Sequence, residues 1–346
     1  FIDADDWLEK DAIENLYKIA ETENYELIRF EKVIELPYKK VASNPIFEKE
    51  NITPQDLQKK LLEVGSLNSV CLNFTLRKLI QDNKIVFNEN LKFAEDIAYQ
   101  AGKIMLTYFN QDNGASYKGD NTIVTLADTE INSYLIKKVK ECYPTHSVDG
   151  EEEQSGKSNF VWVCDPVDGT AMYARHIPIA VFSLALVIDG IPHIGVVYDP
   201  FTNSLYSAIN GKGAYKNGKK ISVNDYPLDN IRTACHCDMW PKAKYNVSRV
   251  FEELSHKTRL NDIGSIARAS CLVATGDYSL AIFTGTEHKH CDIAAVKVIV
   301  EEAGGKVTDL FGNEQRYDQS IKGAIISNGI VHDEVIEVIK NYIIKE

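Results

Sequence analysis

Two hydrophobic periods run along this chain, and the places where one gives way to the other mark its elements. Between residues 91 and 109 the apolar positions Leu91, Phe93, Ile97, Ala98, Ala101, Ile104 and Met105 recur at three- and four-residue spacing, which predicts one amphipathic helix. The stretch 118–128 reads as a turn and a short strand, and 129–142 as a second helix. Residues 160–164 form a run of aromatic and β-branched residues that suits a buried strand. Two further strands, 179–188 and 191–198, flank Asp189-Gly190, a strong hairpin signal, and Lys216-Asn-Gly-Lys219 marks another. Beyond them the pattern predicts helices over 246–255 and 268–275 and a strand over 280–283. A helix then runs from Asp292 to Ala303, stopped by Gly304-Gly305, and a closing helix covers 331–344. Helices alternating with strands indicate a layered α/β architecture.

The chemistry concentrates where the strand 160–164 meets acid. Asp165 stands at its end, and Pro166 cannot donate to a sheet ladder. The strand is therefore expected to finish there and turn, which brings Asp165 and Asp168 together. The Val167 carbonyl lies between them as a third hard oxygen. Oxygen-only ligation favours Mg²⁺ or Mn²⁺. Gly169 permits a tight turn, and a helix opening at Thr170 aims its free N–H groups at whatever anion the metal holds, phosphate being the natural guest. The same letters also spell a common surface turn, and it is the buried strand in front that favours the metal reading.

Asp165-Pro-Val-Asp-Gly-Thr170 resembles the metal-binding signature of the inositol monophosphatase family of Mg²⁺-dependent phosphatases. Tyr143-Pro-Thr-His-Ser-Val-Asp-Gly-Glu-Glu152 resembles that family's glutamate motif. Cys291-Asp-Ile-Ala-Ala295 resembles its second aspartate motif and is followed by Glu301-Glu-Ala-Gly-Gly305. The resemblance covers residues 91–346 and implies a layered αβαβα sandwich. It implies Mg²⁺, or Mn²⁺ in its place, held by Glu151, Asp165, the Val167 carbonyl, Asp168 and Asp292. Asp128 would pair with Thr170 to orient the attacking water, with Glu151 beside them as a catalytic group. Substrate contacts would come from Asp168, Gly169, Thr170, Ala171 and the loop at Gly264-Ser265.

Taken alone, these residues have plainer readings. Asp128 and Asp292 suit helix N-caps, 151–153 a solvated charge run, and 264–267 an ordinary helix start. His288, His290 and Cys291 are soft donors beside a hard-oxygen centre and are left out of the ligand set. The reaction implied is hydrolysis of a small phosphate monoester by water activated on two or three divalent ions. The partner implied is a small phosphorylated metabolite, with a homodimer left open. Phe283 stands near the position where members acting on inositol phosphate carry a glutamate, and Cys291 replaces the family's usual tryptophan. The run 323–333 resembles the histidinol-phosphate branch, so histidinol phosphate or another metabolite is the alternative substrate.

Residues 1–90 read differently. Phe1-Ile-Asp-Ala-Asp-Asp-Trp-Leu8 is an apolar run ending in clustered acids, followed by helical spacing at Ile13, Leu16, Tyr17 and Ile19. It resembles the Asp-x-Asp motif of family 2 glycosyltransferases, in which Asp3 and Asp5 would hold a divalent cation, and Glu95-Asp96 stands where that family carries its base. A glycosyltransferase using a nucleotide-sugar is the alternative activity if a parent protein supplies the nucleotide-binding half ahead of Phe1. For the chain as it stands, 1–90 is expected to be a partial GT-A-like α/β segment without catalysis, and 91–346 the phosphatase domain. The first residue, Phe1, is what a fragment or processed form would show.

Bulk properties narrow the field further. A net charge of −12 and a pI near 5.2 argue against a nucleic-acid surface, while acidic clusters loaded with cations still accept phosphorylated substrates. No apolar run is long enough to span a membrane. Seven cysteines without framework spacing suggest reduced thiols in a cytoplasm, and Cys235-His-Cys237 has no second pair at ligand spacing.

Overall fold

The helical spacing after residue 90 is realised as α1 (Val86–Phe109), whose apolar stripe buries Ala94, Ile97, Ala98, Ala101 and Met105. Glu95 and Asp96 lie on this helix, Glu95 half-buried and Asp96 exposed beside Lys92 at 4.0 Å, so both belong to the helix packed in the second unit. The computed structural model describes residues 33–36, 39–42, 86–119, 122–229, 232–237 and 243–343. Its contacts divide the chain into Phe1–Val86 and Phe87–Glu346. In the first unit, β1 (Val33–Leu36) and β2 (Lys39–Ala42) form an antiparallel hairpin with Val33 opposite Ala42. Asp3 and Asp5 lie outside the described residues.

The second unit is built on two sheets. A small antiparallel pair, β3 (Ser116–Tyr117) and β4 (Ile123–Val124), leads into α2 (Leu126–Cys142). The large sheet contains β5 (Ser147–Gly150), β6 (Gln154–Ser155), β7 (Phe160–Asp168), β8 (Val181–Ile188), β9 (Ile191–Asp199), β10 (Ser204–Ile209), β11 (Gly213–Lys216) and β12 (Lys219–Lys220). Its order is β12-β11-β10-β9-β8-β7-β5-β6, with β5 and β7 parallel. The short helix α3 (Thr170–Tyr173) follows β7 directly. The second sheet holds β13 (Ala234–Cys237), β14 (Arg259–Asn261), β15 (Leu280–Phe283), β16 (Lys306–Thr308) and β17 (Ala324–Ser327), in the order β14-β13-β15-β17-β16. The remaining helices are α4 (Ser248–Ser255), α5 (Ile266–Ala274), α6 (His290–Glu302) and α7 (His332–Tyr342).

The layers follow from side-chain alternation. On β7, Trp162 and Cys164 face the core shared with α1 and α2, whereas Val161 and Val163 face α5 and α6. On β15, Ala281 and Phe283 close the far side of that middle helix layer. Leu280 and Ile282 face α4 and α7. The result is an αβαβα sandwich. Helix α6 lies at its centre, buried along almost its whole length; most of its faces are apolar, and its two buried charged residues, Asp292 and Lys297, each have partners in the chain.

Two local expectations are corrected. The strand does not stop at Asp165 but continues to Asp168, with a register shift against β8 between these two residues. Pro166 falls inside this bulge, where its missing N–H leaves no ladder bond unmade. The helix starts also move: the N-cap of α2 is Thr125 and that of α6 is Lys289, which puts Asp128 and Asp292 in the first turn rather than at the cap.

Candidate metal centre

The parallel register of β5 and β7 sets Gly150 opposite Cys164, so the next residues, Glu151 and Asp165, emerge side by side. The Glu151 N–H donates to the Cys164 carbonyl at 3.1 Å and holds that edge. Helix α6 supplies the third group. It lies against β9 at Gly195, where an added Cβ would meet the Ala295 carbonyl oxygen at 2.1 Å. That contact, which glycine alone permits, presses the helix onto the sheet and brings its first turn, with Asp292, to the end of β7.

Ligand oxygens of Glu151, Asp165 and Asp292 lie within 4.8 Å of one another, and among the described residues this is the one such cluster of three or more acids, histidines or cysteines. Asp165 and Asp292 are each 3% exposed, and the Glu151 side chain is 16% exposed. Burial, followed by the charges of Glu151, Asp292 and Asp168, pushes Asp165 well above the ordinary carboxylate range. Burial also raises Asp292, with Glu151 adding to it and Lys289 opposing. For Glu151 the balance tips the other way, since the charges of Lys289 and Lys118 outweigh burial and lower it. Like carboxylates this close cannot all ionise without a positive charge among them. Buried, oxygen-only and anionic, the set fits a hard divalent cation.

Asp168 stands beside this convergence, within reach of the Asp292 charge. Its Oδ2 accepts the Ser265 hydroxyl and, at 2.9 Å, the Ala267 N–H. Burial and then Asp292 push it up to about 7 against those two hydrogen bonds. Ser265, expected on the substrate, spends its hydroxyl on Asp168 and accepts the Arg268 N–H at 3.1 Å as the N-cap of α5, so it positions that carboxylate. Gly169 has φ 91°, and a Cβ there would meet the Gly264 carbonyl at 2.8 Å. The loops at 169–170 and 264–265 therefore touch because both lack side chains at the contact.

Thr170 Oγ1 lies 2.8 Å from the Val167 carbonyl and 3.4 Å from Asp128 Oδ1. Its single proton favours the carbonyl, and Val167 O keeps a second lone pair. Asp128 is fully buried, with Oδ2 held by the Thr125 N–H at 2.8 Å and the Thr125 hydroxyl at 2.5 Å. Burial outweighs those bonds and pushes its carboxyl up to about 7. Ala171 is exposed at the start of α3.

Two residues missed from the sequence enter here. Lys289 Nζ lies 3.0 Å from Glu151 and 3.6 Å from Asp292. Lys118 Nζ lies 2.5 Å from Glu152 and 3.6 Å from Glu151. The place of Lys289 three residues before Asp292, just ahead of the predicted helix, was the available signal. His290 sets its Nε2 against Asp149 at 2.8 Å, away from the cluster, and Cys291 and Phe283 are buried in the core around α6. Phe283 therefore offers nothing to a polar ligand.

Comparison with known proteins agrees with this geometry. The profile of the Inositol monophosphatase family matches residues 88–343. The chain is 32% identical over 262 residues to Inositol monophosphatase 1 of Solanum lycopersicum, covering 73% of this chain and 95% of the relative. It is 30% identical over 263 residues to Fructose-1,6-bisphosphatase/inositol-1-monophosphatase of Thermotoga maritima, covering 75% and 98%. The solved Thermotoga maritima IMPase superposes with a TM-score of 0.66 at 28% identity, over 73% of this chain and 97% of that one. The likeness of residues 1–90 to a glycosyltransferase finds no support among these matches. With its four motifs gathered on one sandwich and the family profile spanning the second unit, the chain belongs to the inositol monophosphatase family, metal-dependent phosphatases that hydrolyse phosphate monoesters.

Proposed function

We propose that this chain hydrolyses a small phosphorylated polyol, sugar or similar metabolite, using Mg²⁺ or Mn²⁺ held by Glu151, Asp165, Asp168, Asp292 and the Val167 carbonyl. The observation that carries the reading is the convergence of three carboxylates, those of Asp165 and Asp292 buried and that of Glu151 partly so, within 4.8 Å of one another. When bound, the divalent charge offsets the negative ester and makes a water acidic enough to attack it. Thr170, turned toward Val167 and Asp128, keeps lone pairs with which to accept a hydrogen bond from that water and fix its direction. Asp128, raised to about 7, is a buried carboxyl able to take a proton passed through Thr170. The N–H groups of Thr170 and Ala171 precede the first intrahelical bonds of α3 and suit equatorial phosphate oxygens.

The substrate side supports breadth. The name of the Thermotoga relative joins a sugar bisphosphate to an inositol phosphate. Phe283, which stands near the position where inositol-specific members are expected to carry a hydroxyl-reading carboxylate, is an apolar ring buried in the core. A site without such a group discriminates weakly between polyols. Phosphate release should be measured with Mg²⁺ across inositol, histidinol, sugar and nucleotide monophosphates. Several should be turned over, with inositol 1-phosphate not the best. Release from none contradicts the reaction, and a clearly highest kcat/KM for inositol 1-phosphate contradicts the breadth.

A further inference from the structure

The chain carries its own cation inside the carboxylate cluster. Lys289 is the N-cap of α6, its side chain is 19% exposed, and its Nζ lies 3.0 Å from Glu151 and 3.6 Å from Asp292. These are two of the three corners of the cluster. Lys118 is placed differently, since it reaches Glu151 only at 3.6 Å and makes its short contact, 2.5 Å, with Glu152 outside the cluster. Of these two ammonium groups, only Lys289 spans two ligands of the centre.

An ammonium at this position uses the same carboxylate lone pairs that a hard divalent ion needs at about 2.0 to 2.6 Å. If the ammonium stays, it repels the incoming ion across a few ångströms of poorly screened interior. If it withdraws on its flexible four-carbon stem, it loses two carboxylate partners. Each course opposes metal binding. We propose that Lys289 is a tethered cation that competes with divalent metal for Glu151 and Asp292, so that the chain itself holds the metal affinity of the cluster down. In the metal-free protein the same ammonium keeps the buried acids from repelling one another. Occupancy then follows the free metal concentration, and the enzyme is switched by metal supply.

This inference rests on reading the cluster as a metal centre, and one titration separates the two. Mn²⁺ binding is measured by electron paramagnetic resonance and calorimetry on the full chain, on Lys289→Met and on Lys289→Gln, with melting temperatures in chelator alongside. Both variants should bind Mn²⁺ about tenfold tighter or more, because a nearby positive charge has been removed. Their metal-free forms should melt lower and gain more from added Mn²⁺ than the parent does. Lys289→Arg, which keeps the charge, should stay within a few-fold of the parent. If the Met variant does not fold, Lys289→Gln, which retains a donor toward Glu151, carries the measurement. Equal or weaker Mn²⁺ binding by the neutral variants overturns the competition and leaves the metal centre standing. Failure of every protein to bind Mn²⁺ overturns both.

Discussion

Helix α6 carries two buried charged groups five residues apart in sequence, and they are completed in opposite ways. Lys297 donates to Glu301 at 2.6 Å, to Glu314 at 2.7 Å and to the Val307 carbonyl at 3.0 Å. An ammonium has three donors, and here each has an acceptor supplied by the chain. Asp292, in the first turn of the helix, faces Glu151 and Asp165, so its neighbours share its sign, and Lys289 only partly offsets them. The first cluster closes on itself and fastens α6 to the segment after it. The second keeps a surplus of negative charge that suits an outside cation. A buried charge paired within the chain signals architecture, whereas a buried surplus of like charge signals a site.

The largest effect should come from the open cluster. Asp168→Asn should lower phosphate release by about 10²-fold or more, since it removes a charge from the cation-holding set. The metal-free fold should be no weaker, because an acid raised chiefly by burial, and then by the Asp292 charge, has been neutralised. Turnover by this variant within a few-fold of the parent breaks the distinction.

The closed cluster should respond the other way. Lys297→Met removes hydrogen bonds to a charged donor and should cost about 1.5 to 3 kcal/mol of stability, read from denaturant unfolding. Turnover per folded molecule and Mn²⁺ affinity should not change. Loss of Mn²⁺ binding without loss of stability would erase the contrast between the two clusters on α6.

The smallest effect is one of pH. Asp128 is raised from an ordinary value of 3.8 to about 7 in the folded chain, chiefly by burial. The folded state therefore holds a proton that the unfolded state releases. The stability this contributes is fully present below the unfolded value and is lost as pH rises through about 7. The melting temperature of the metal-free protein should fall between about pH 5 and about pH 8, and Asp128→Asn should remove part of that slope. A melting temperature that rises over this range contradicts the assignment.

Much of the sandwich was legible in the hydrophobic periods, because residues such as Ile97, Ala101 and Met105 on α1, or Val163 and Cys164 on β7, are fixed by local spacing. Asp165 and Asp168 were legible for the same reason, lying on one strand end. Pro166 misled because a proline stops a regular ladder, and only the pairing with β8 shows that it sits in a bulge. Local pattern alone made Glu151 look like solvated charge and only the resemblance made it a ligand, because its place beside Asp165 depends on the parallel register of β5 with β7, a contact that local spacing does not encode. The place of Lys289 follows from the packing of α6 at Gly195 and from the position of Glu151 after β5 of the same sheet, so its spacing from Asp292 told only half of it.

If this carboxylate cluster drives phosphate hydrolysis through a divalent ion, turnover must follow the metal. The most direct test follows inorganic phosphate release from a monoester that the chain turns over, while chelator is added in excess and Mg²⁺ is then restored. The account predicts that release falls to background in chelator and returns with Mg²⁺. Release that continues undiminished in excess chelator would contradict it.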